Sequence, residues 1–444
     1  MCPVRDFSAA HLLRTYATPL AEAQTGYSSL IETIGNSQLV LIGEASHGTH
    51  EFYEARARIT QRLIEEKAFT VVAVEADWPD AYRVNRFVRL RSADRDPDEA
   101  LSGFKRFPAW MWRNTVVRDF VDWMRGHNSR LPEERRAGVY GLDLYSLNTS
   151  ITEVLSFLEK VDPEAARRAR YRYSCFEDFG EDTQAYGYAA SFNLDKSCEE
   201  QVIRQLTEMR QRAVDLANRD GRVEPDEFFY AEQNARLVKN AEEYYRSMFA
   251  GRVISWNLRD QHMADTLDAL LSHLGKGTKA VLWAHNSHLG DARATQMGRS
   301  GEWNVGQLVR ERHGSQAFLV GFTTYAGTVT AADNWDEPPQ RFNVRPALPG
   351  SYEELLHEVE IPRFLLRSTG KKEVAEVLRR SRLERAIGVI YRPQTERISH
   401  YFDAVLPDQF DAVIHMDRTR ALEPLEFGAL WQPGEAPETY PSAL

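Results

Sequence analysis

The stretch LVLIGEASHGTHEFYEAR, Leu39 to Arg56, places Glu44, His47, His50, Glu51 and Arg56 directly behind a run of apolar residues. An imidazole beside carboxylates is the equipment of general acid–base catalysis. A neutral ring of ordinary pKa about 6.5 removes a proton from water at neutral pH, and a carboxylate bonded to one nitrogen leaves the other free to do so. Three further apolar runs end in the same way: TVVAV is followed by Glu75 and Asp77, GVYGL by Asp143, and KAVLWA by His285 and His288. One such residue is ordinarily a helix cap or a solvated turn. Four runs ending in acid or imidazole point to a shared site, because loops at the carboxyl ends of an open parallel sheet converge.

Two helical stretches add charges to that set. Behind the first motif, Phe52, Ala55, Ile59 and Leu63 form a stripe at helical spacing, and Arg56 falls inside its arc. An inward guanidinium keeps its charge and needs a carboxylate, so Glu44 or Glu75 is the expected partner; the alternative is an arginine that snorkels to the helix edge. In WNLRDQHMADTLDALLSHL the stripe Met263, Leu267, Leu270 and Leu274 continues back to Trp256, Arg259 and Asp260. If this helix runs antiparallel to the strand behind it, its start lies at the carboxyl edge, and Arg259 and Asp260 border the site. Otherwise they are solvated charges, Asp260 being favoured by the helix dipole.

Positioning these groups requires a sheet. Short apolar runs alternate with longer segments of helical period, the pattern of an α/β fold with a central, mainly parallel sheet flanked by helices. Strands are expected at Gln38–Ile42, Thr70–Val74, Gly138–Leu142, Lys279–Ala284 and Gln316–Phe322, with weaker signals at Arg363–Leu366, Ala386–Tyr391 and Phe410–His415. From about Asp162 to Ser255 the strand signal gives way to long charged segments of helical period. The expected organisation is an α/β core of residues 1–161 and 256–444 with an inserted all-helical cap of residues 162–255. Aromatics of this insertion, among them Tyr186, Tyr188, Phe228 and Tyr230, either wall a ligand cavity or pack between its helices.

The 444 residues suffice for a large core, and the net charge of −10 argues against a nucleic-acid or anionic-membrane surface. The expected partner is a small molecule, neutral or cationic. Cys2, Cys175 and Cys198 are too few and scattered for a disulfide framework or a thiolate zinc site, and are expected as reduced thiols. No run reaches the roughly 18 apolar residues of a membrane span. The first residues lack the apolar region of a signal peptide, so a cytoplasmic location is expected.

Together IGEASHGTHEF, VAVEADW, YGLDLY, RDQHMAD and LWAHNSHLGD resemble the erythromycin esterase family, hydrolases that open macrolide lactones. ASHGT and EADWP look more like relatives of unassigned substrate than like the macrolide-resistance enzymes. The resemblance spans Leu39 to about Tyr325. It implies an α/β core with a helical cap, a catalytic His47 with Glu44, and contributions from Arg56, Glu75, His285 and His288.

The residues suit hydrolysis of a small ester or lactone by direct attack of water. His47 is the candidate base, Glu44 or Glu75 fixes its tautomer, and Arg56 keeps those acids ionised. His285 either donates to the oxygen on which negative charge develops or protonates the leaving alkoxide. His288, Asp143, Arg259, Asp260, His50 and Glu51 complete the candidate supporting and substrate-binding set. No Gly-x-Ser-x-Gly elbow stands at a strand end. No cofactor is expected. A metal-dependent hydrolase would use His47, Glu75, His285 and His288, whose spacing is not that of His-Glu-x-x-His. The third reading is a non-catalytic small-molecule-binding protein.

Overall fold

The computed structural model describes residues 7–20, 27–180, 182–192, 197–217 and 225–425. Its strands are β1 (Thr18–Pro19), β2 (Leu39–Ile42), β3 (Val71–Asp77), β4 (Gly138–Asp143), β5 (Ala280–Trp283), β6 (Ala317–Ala331), β7 (Gln340–Val344), β8 (Arg363–Arg367), β9 (Arg382–Arg385), β10 (Tyr401–Ala404) and β11 (Ala412–Thr419). Nine of them form one sheet in the order β1-β8-β11-β6-β2-β5-β3-β4, with β7 on β6. From β11 to β4 every neighbouring pair is parallel. β1, β7 and β8 pair antiparallel at the periphery.

The apolar runs are continuous because the sheet is covered on both faces. With a side-chain period of two, Leu39, Leu41, Val71, Ala73 and Leu282 enter one hydrophobic cluster, while Val40, Ile42, Val72, Val74, Val281 and Trp283 enter the other. The helix His50–Lys67 buries Phe52, Ala55, Ile59 and Leu63 in the second. The helix Arg252–Leu274 buries Met263, Leu267 and Leu270 in the first. Among the described residues, 162–251 hold no strand. Their helices contribute Ala169, Val238, Tyr244 and Tyr245 to the cluster that contains Tyr140 and Leu142 of β4.

Several expectations need correction. β6 runs on to Ala331, since its far half pairs with β7 as well as β11. Ala386–Tyr391 is not a strand: the neighbouring strand is β9, in a separate two-stranded sheet with β10. The apolar run behind β9 threads against the core through isolated pairings of Ile387 with Ser46 and Ile390 with Ala332. Its hydrophobicity therefore reflects burial of an irregular segment. Cys175 and Cys198, expected as free thiols, form a disulfide. Their Cα atoms lie 5.9 Å apart, within the range that such a bridge spans, because the fold brings together cysteines whose sequence spacing carries no pairing signal. Cys2 lies outside the described residues, as does the core expected beyond residue 425. Among the described residues no helix is long and apolar enough to cross a membrane.

Candidate active site

β2 ends at Ile42, and the backbone turns immediately into the segment that carries Glu44 and His47. That turn is held by close packing. A Cβ on Gly43 would collide with the side chain of Asn286, and one on Gly48 with the backbone of Thr330. Ile387 brackets the turn, donating to the Ala45 carbonyl at 2.9 Å and accepting from the His47 amide at 3.2 Å. With the loop fixed, His47 Nδ1 lies 2.9 Å from Glu44 Oε1. Arg56, fully buried, places Nη2 2.8 Å from Glu44 Oε2. Its inward orientation follows from the helix stripe; the tertiary fold assigns it to Glu44 instead of Glu75. The Tyr53 and Trp283 rings flank the guanidinium at 4.2 and 5.2 Å, where their π faces favour a cation. A carboxylate accepting from Nδ1–H leaves His47 Nε2 as the basic nitrogen.

The second imidazole has the opposite tautomer. His285 begins a short helix, and its Nδ1 accepts from the Ser287 amide at 3.2 Å, with Ser287 Oγ 2.9 Å away. The ring proton accordingly resides on Nε2. Burial and the neighbouring His47 hold the His285 pKa well below its ordinary value, against the opposing influence of Glu75 and the Ala45 backbone. The ring is thus a neutral donor, 4.9 Å from His47 between centroids.

Beneath this pair lies a network of buried charge. Glu75 accepts from the His285 amide at 2.9 Å and from Arg259 Nη2 at 2.8 Å. Arg259 also donates to Asp143 through Nε at 3.0 Å and Nη2 at 2.6 Å. His288 Nδ1 lies 2.9 Å from Asp260 Oδ1, its Nε2 lies 3.3 Å from Glu75, and its ring stacks on Trp256. Burial alone would raise Glu75; its basic neighbours, His288 and Arg259 foremost, and the His285 amide outweigh it and hold its pKa below the ordinary carboxylate range. Burial alone would depress His288, but Asp260 and Glu75 raise it. Burial also raises Asp260, with His288 as the chief opposing charge. His288 is thus held between Asp260 at Nδ1 and, at Nε2, Glu75 and Arg259 Nη1, the latter 3.1 Å away. Arg259 and Asp260 are therefore buried members of the network and not solvated helix-end charges.

Glu44, His47, Arg56, Glu75, Asp143, Arg259, Asp260, His285 and His288 thus meet at one edge of the sheet. His50 and Glu51 do not join them: the His50 amide donates to the Arg420 carbonyl, and Glu51 accepts from the Arg420 amide at 2.8 Å. Two other residues do join. Arg106 donates to Asp77 at 3.0 Å, and both border a cavity of ≈ 30 Å³ shared with His47, Glu75 and Arg259. Asp77 was visible at a strand end. Arg106 lies in FKRFPAWMW, whose only sequence signal is its density of aromatics; this segment lines the cavity with Phe104, Phe107 and Trp112. Tyr186, Tyr188, Phe228 and Tyr230 are not among the lining residues. Among the described residues, no three His, Cys, Asp or Glu are grouped to hold a metal ion. Glu75 and His288 already spend their polar atoms on protein partners.

Comparison with known proteins places the chain in a family. Residues 64–419 match the erythromycin esterase family. The chain belongs to that family. The match contains Glu75, Asp143, Arg259, Asp260, His285 and His288, and begins after Glu44, His47 and Arg56. The putative hydrolase YbfO of Bacillus subtilis (strain 168) is 21% identical, over 92% of this chain and 90% of its own. Erythromycin esterase type I of Escherichia coli is 23% identical, over 71% and 77%. Among solved structures, a Bacillus cereus protein has a TM-score of 0.79 at 19% identity, covering 96% of this chain and 100% of its own. An erythromycin esterase EreC mutant in its open conformation has a TM-score of 0.68 at 16% identity, covering 94% and 98%. This erythromycin esterase family member is accordingly a hydrolase.

Proposed function

We propose that the protein hydrolyses a carboxylic ester or lactone by direct attack of water, with His47 as general base. The observation that carries this reading is the buried chain Arg56–Glu44–His47, which leaves His47 Nε2 as a basic nitrogen at a small cavity. A water needs about 10 to 15 Å³, so ≈ 30 Å³ admits one or two. His47 takes a proton from that water as its oxygen bonds to the ester carbonyl carbon. His285 Nε2–H donates to the carbonyl oxygen as it becomes an oxyanion. Collapse of the intermediate breaks the bond to the leaving oxygen, and the proton held by His47 passes to the departing alkoxide. Arg56 pairs with Glu44 and holds it against His47, while Glu75 orients His285 through its backbone amide.

The test is a panel of esters, lactones and amides offered to the purified protein and to His47→Ala, with and without chelator. Ester or lactone turnover that survives chelation and falls at least about a hundredfold in the variant is expected. Turnover abolished by chelator, or confined to amides, would reject the reading.

A further inference from the structure

We propose that a cleft beside the His47 cavity holds the uncleaved body of the substrate, and that this body is a neutral, hydroxyl-bearing ring of saccharide type. The proposal rests on the ester-hydrolase reading for the position of the scissile bond.

The first argument is size and adjacency. The cavity at His47 has room for the reacting group and little else, whereas the neighbouring cleft measures ≈ 800 Å³, within the roughly 300 to 1,000 Å³ typical of small-molecule sites. Asp80 lines both spaces. It lies on the helix Trp78–Val88, which leaves the end of β3 and so connects the cleft to Glu75 and Asp77. Gly103 lets Asp80 approach closely, since a Cβ there would lie 2.9 Å from Asp80 Oδ1.

The second argument is chemistry. Tyr82 and Tyr230 both line the cleft and stack at 3.8 Å with their planes 14° apart. Buried Trp78 continues the ladder behind Tyr230 at 6.3 Å, and its indole N–H donates to the Tyr230 carbonyl. The rings form a shelf anchored in the core. An aromatic face carries negative charge density and attracts the polarised C–H groups of a ring lying against it.

Around the shelf, four cationic and four acidic side chains balance, and much of that charge is already matched. Arg83 grips Asp94 at 2.6 and 3.2 Å, and Lys160 meets Glu227 at 2.8 Å. An ionic ligand would have to compete with these pairs. Hydroxyl groups need not: they donate to remaining carboxylate lone pairs and accept from remaining N–H groups.

The experiment uses two acetates that share an acyl group, p-nitrophenyl acetate and methyl 6-O-acetyl-glucopyranoside, with calorimetric titration of methyl glucopyranoside as a direct binding probe. Ser156 lies in the cleft lining on an exposed helix position, so Ser156→Trp fills the cleft without entering the core. In Ser156→Trp and Tyr82→Ala, the ratio of kcat/KM for the sugar acetate to that for p-nitrophenyl acetate should fall at least about tenfold, mainly through KM. Tyr82→Phe, which keeps the shelf, should retain the ratio. Glucoside binding should be saturable and lost in Ser156→Trp. No saturable binding, an unchanged ratio, or preference for acetylcholine over the sugar acetate overturns the proposal. If neither acetate is hydrolysed but glucoside binding is present and lost in Ser156→Trp, the ester reading fails while the cleft assignment stands.

Discussion

Glu384 on β9 is wholly buried beneath the site, where its carboxyl accepts from Asn286 Nδ2 at 3.3 Å. Burial first, then the adjacent Glu353, push its pKa from 4.5 to about 8. Between those two values the folded protein binds more protons at this position than the unfolded chain does, so stability falls as pH rises and the penalty is complete above pH 8. A shift of about 3.5 units at roughly 1.4 kcal/mol each amounts to about 5 kcal/mol at the alkaline limit, of which about 3 to 4 kcal/mol develops between about pH 5 and 8. Glu384→Gln removes the ionisation while its amide oxygen can still accept from Asn286. Urea unfolding of both proteins at pH 5 and pH 8 isolates the effect, because any constant difference in packing or hydrogen bonding cancels. The variant should gain about 3 kcal/mol on the parent across that interval. A difference that does not change with pH would mean that Glu384 is already ionised at pH 5 to 8, and would refute burial as the dominant influence.

His47→Ala should lose at least about a hundredfold in turnover on whatever ester the panel identifies, with an unchanged unfolding midpoint, because base catalysis contributes about 10² to 10⁴. Arg56→Ala should instead lower stability by about 3 to 5 kcal/mol in denaturant melts, since it strands buried Glu44, and Arg56→Lys should recover only part without the planar fork. His285→Gln, which keeps an N–H donor, should retain more kcat than His285→Ala; equal losses would argue against oxyanion donation. Gly48→Ala should sharply reduce both soluble yield and activity, because the Thr330 backbone occupies the space its methyl needs.

Local patterns determined much of this protein. Continuous apolar runs marked β2, β3, β4 and β5 as strands buried on both faces, and the polar residues behind them marked the edge where chemistry gathers. The helical stripe of Phe52, Ala55, Ile59 and Leu63 turned Arg56 inward. Such periodicities are legible because they arise within one element, from its own repeat. Tertiary structure decided which partners meet. Arg56 takes Glu44, Glu75 takes Arg259 and the His285 amide, and the two histidines adopt opposite tautomers. Those choices depend on strand order and side-chain reach across residues distant in sequence, as do the Cys175–Cys198 bridge and the exclusion of Glu51 by Arg420. The segment around Arg106 showed only a density of aromatics, and the Ile387 bracket only an apolar run that reads as a strand, because neither has a repeat of its own. Each is irregular backbone whose position is set by the surfaces that it covers.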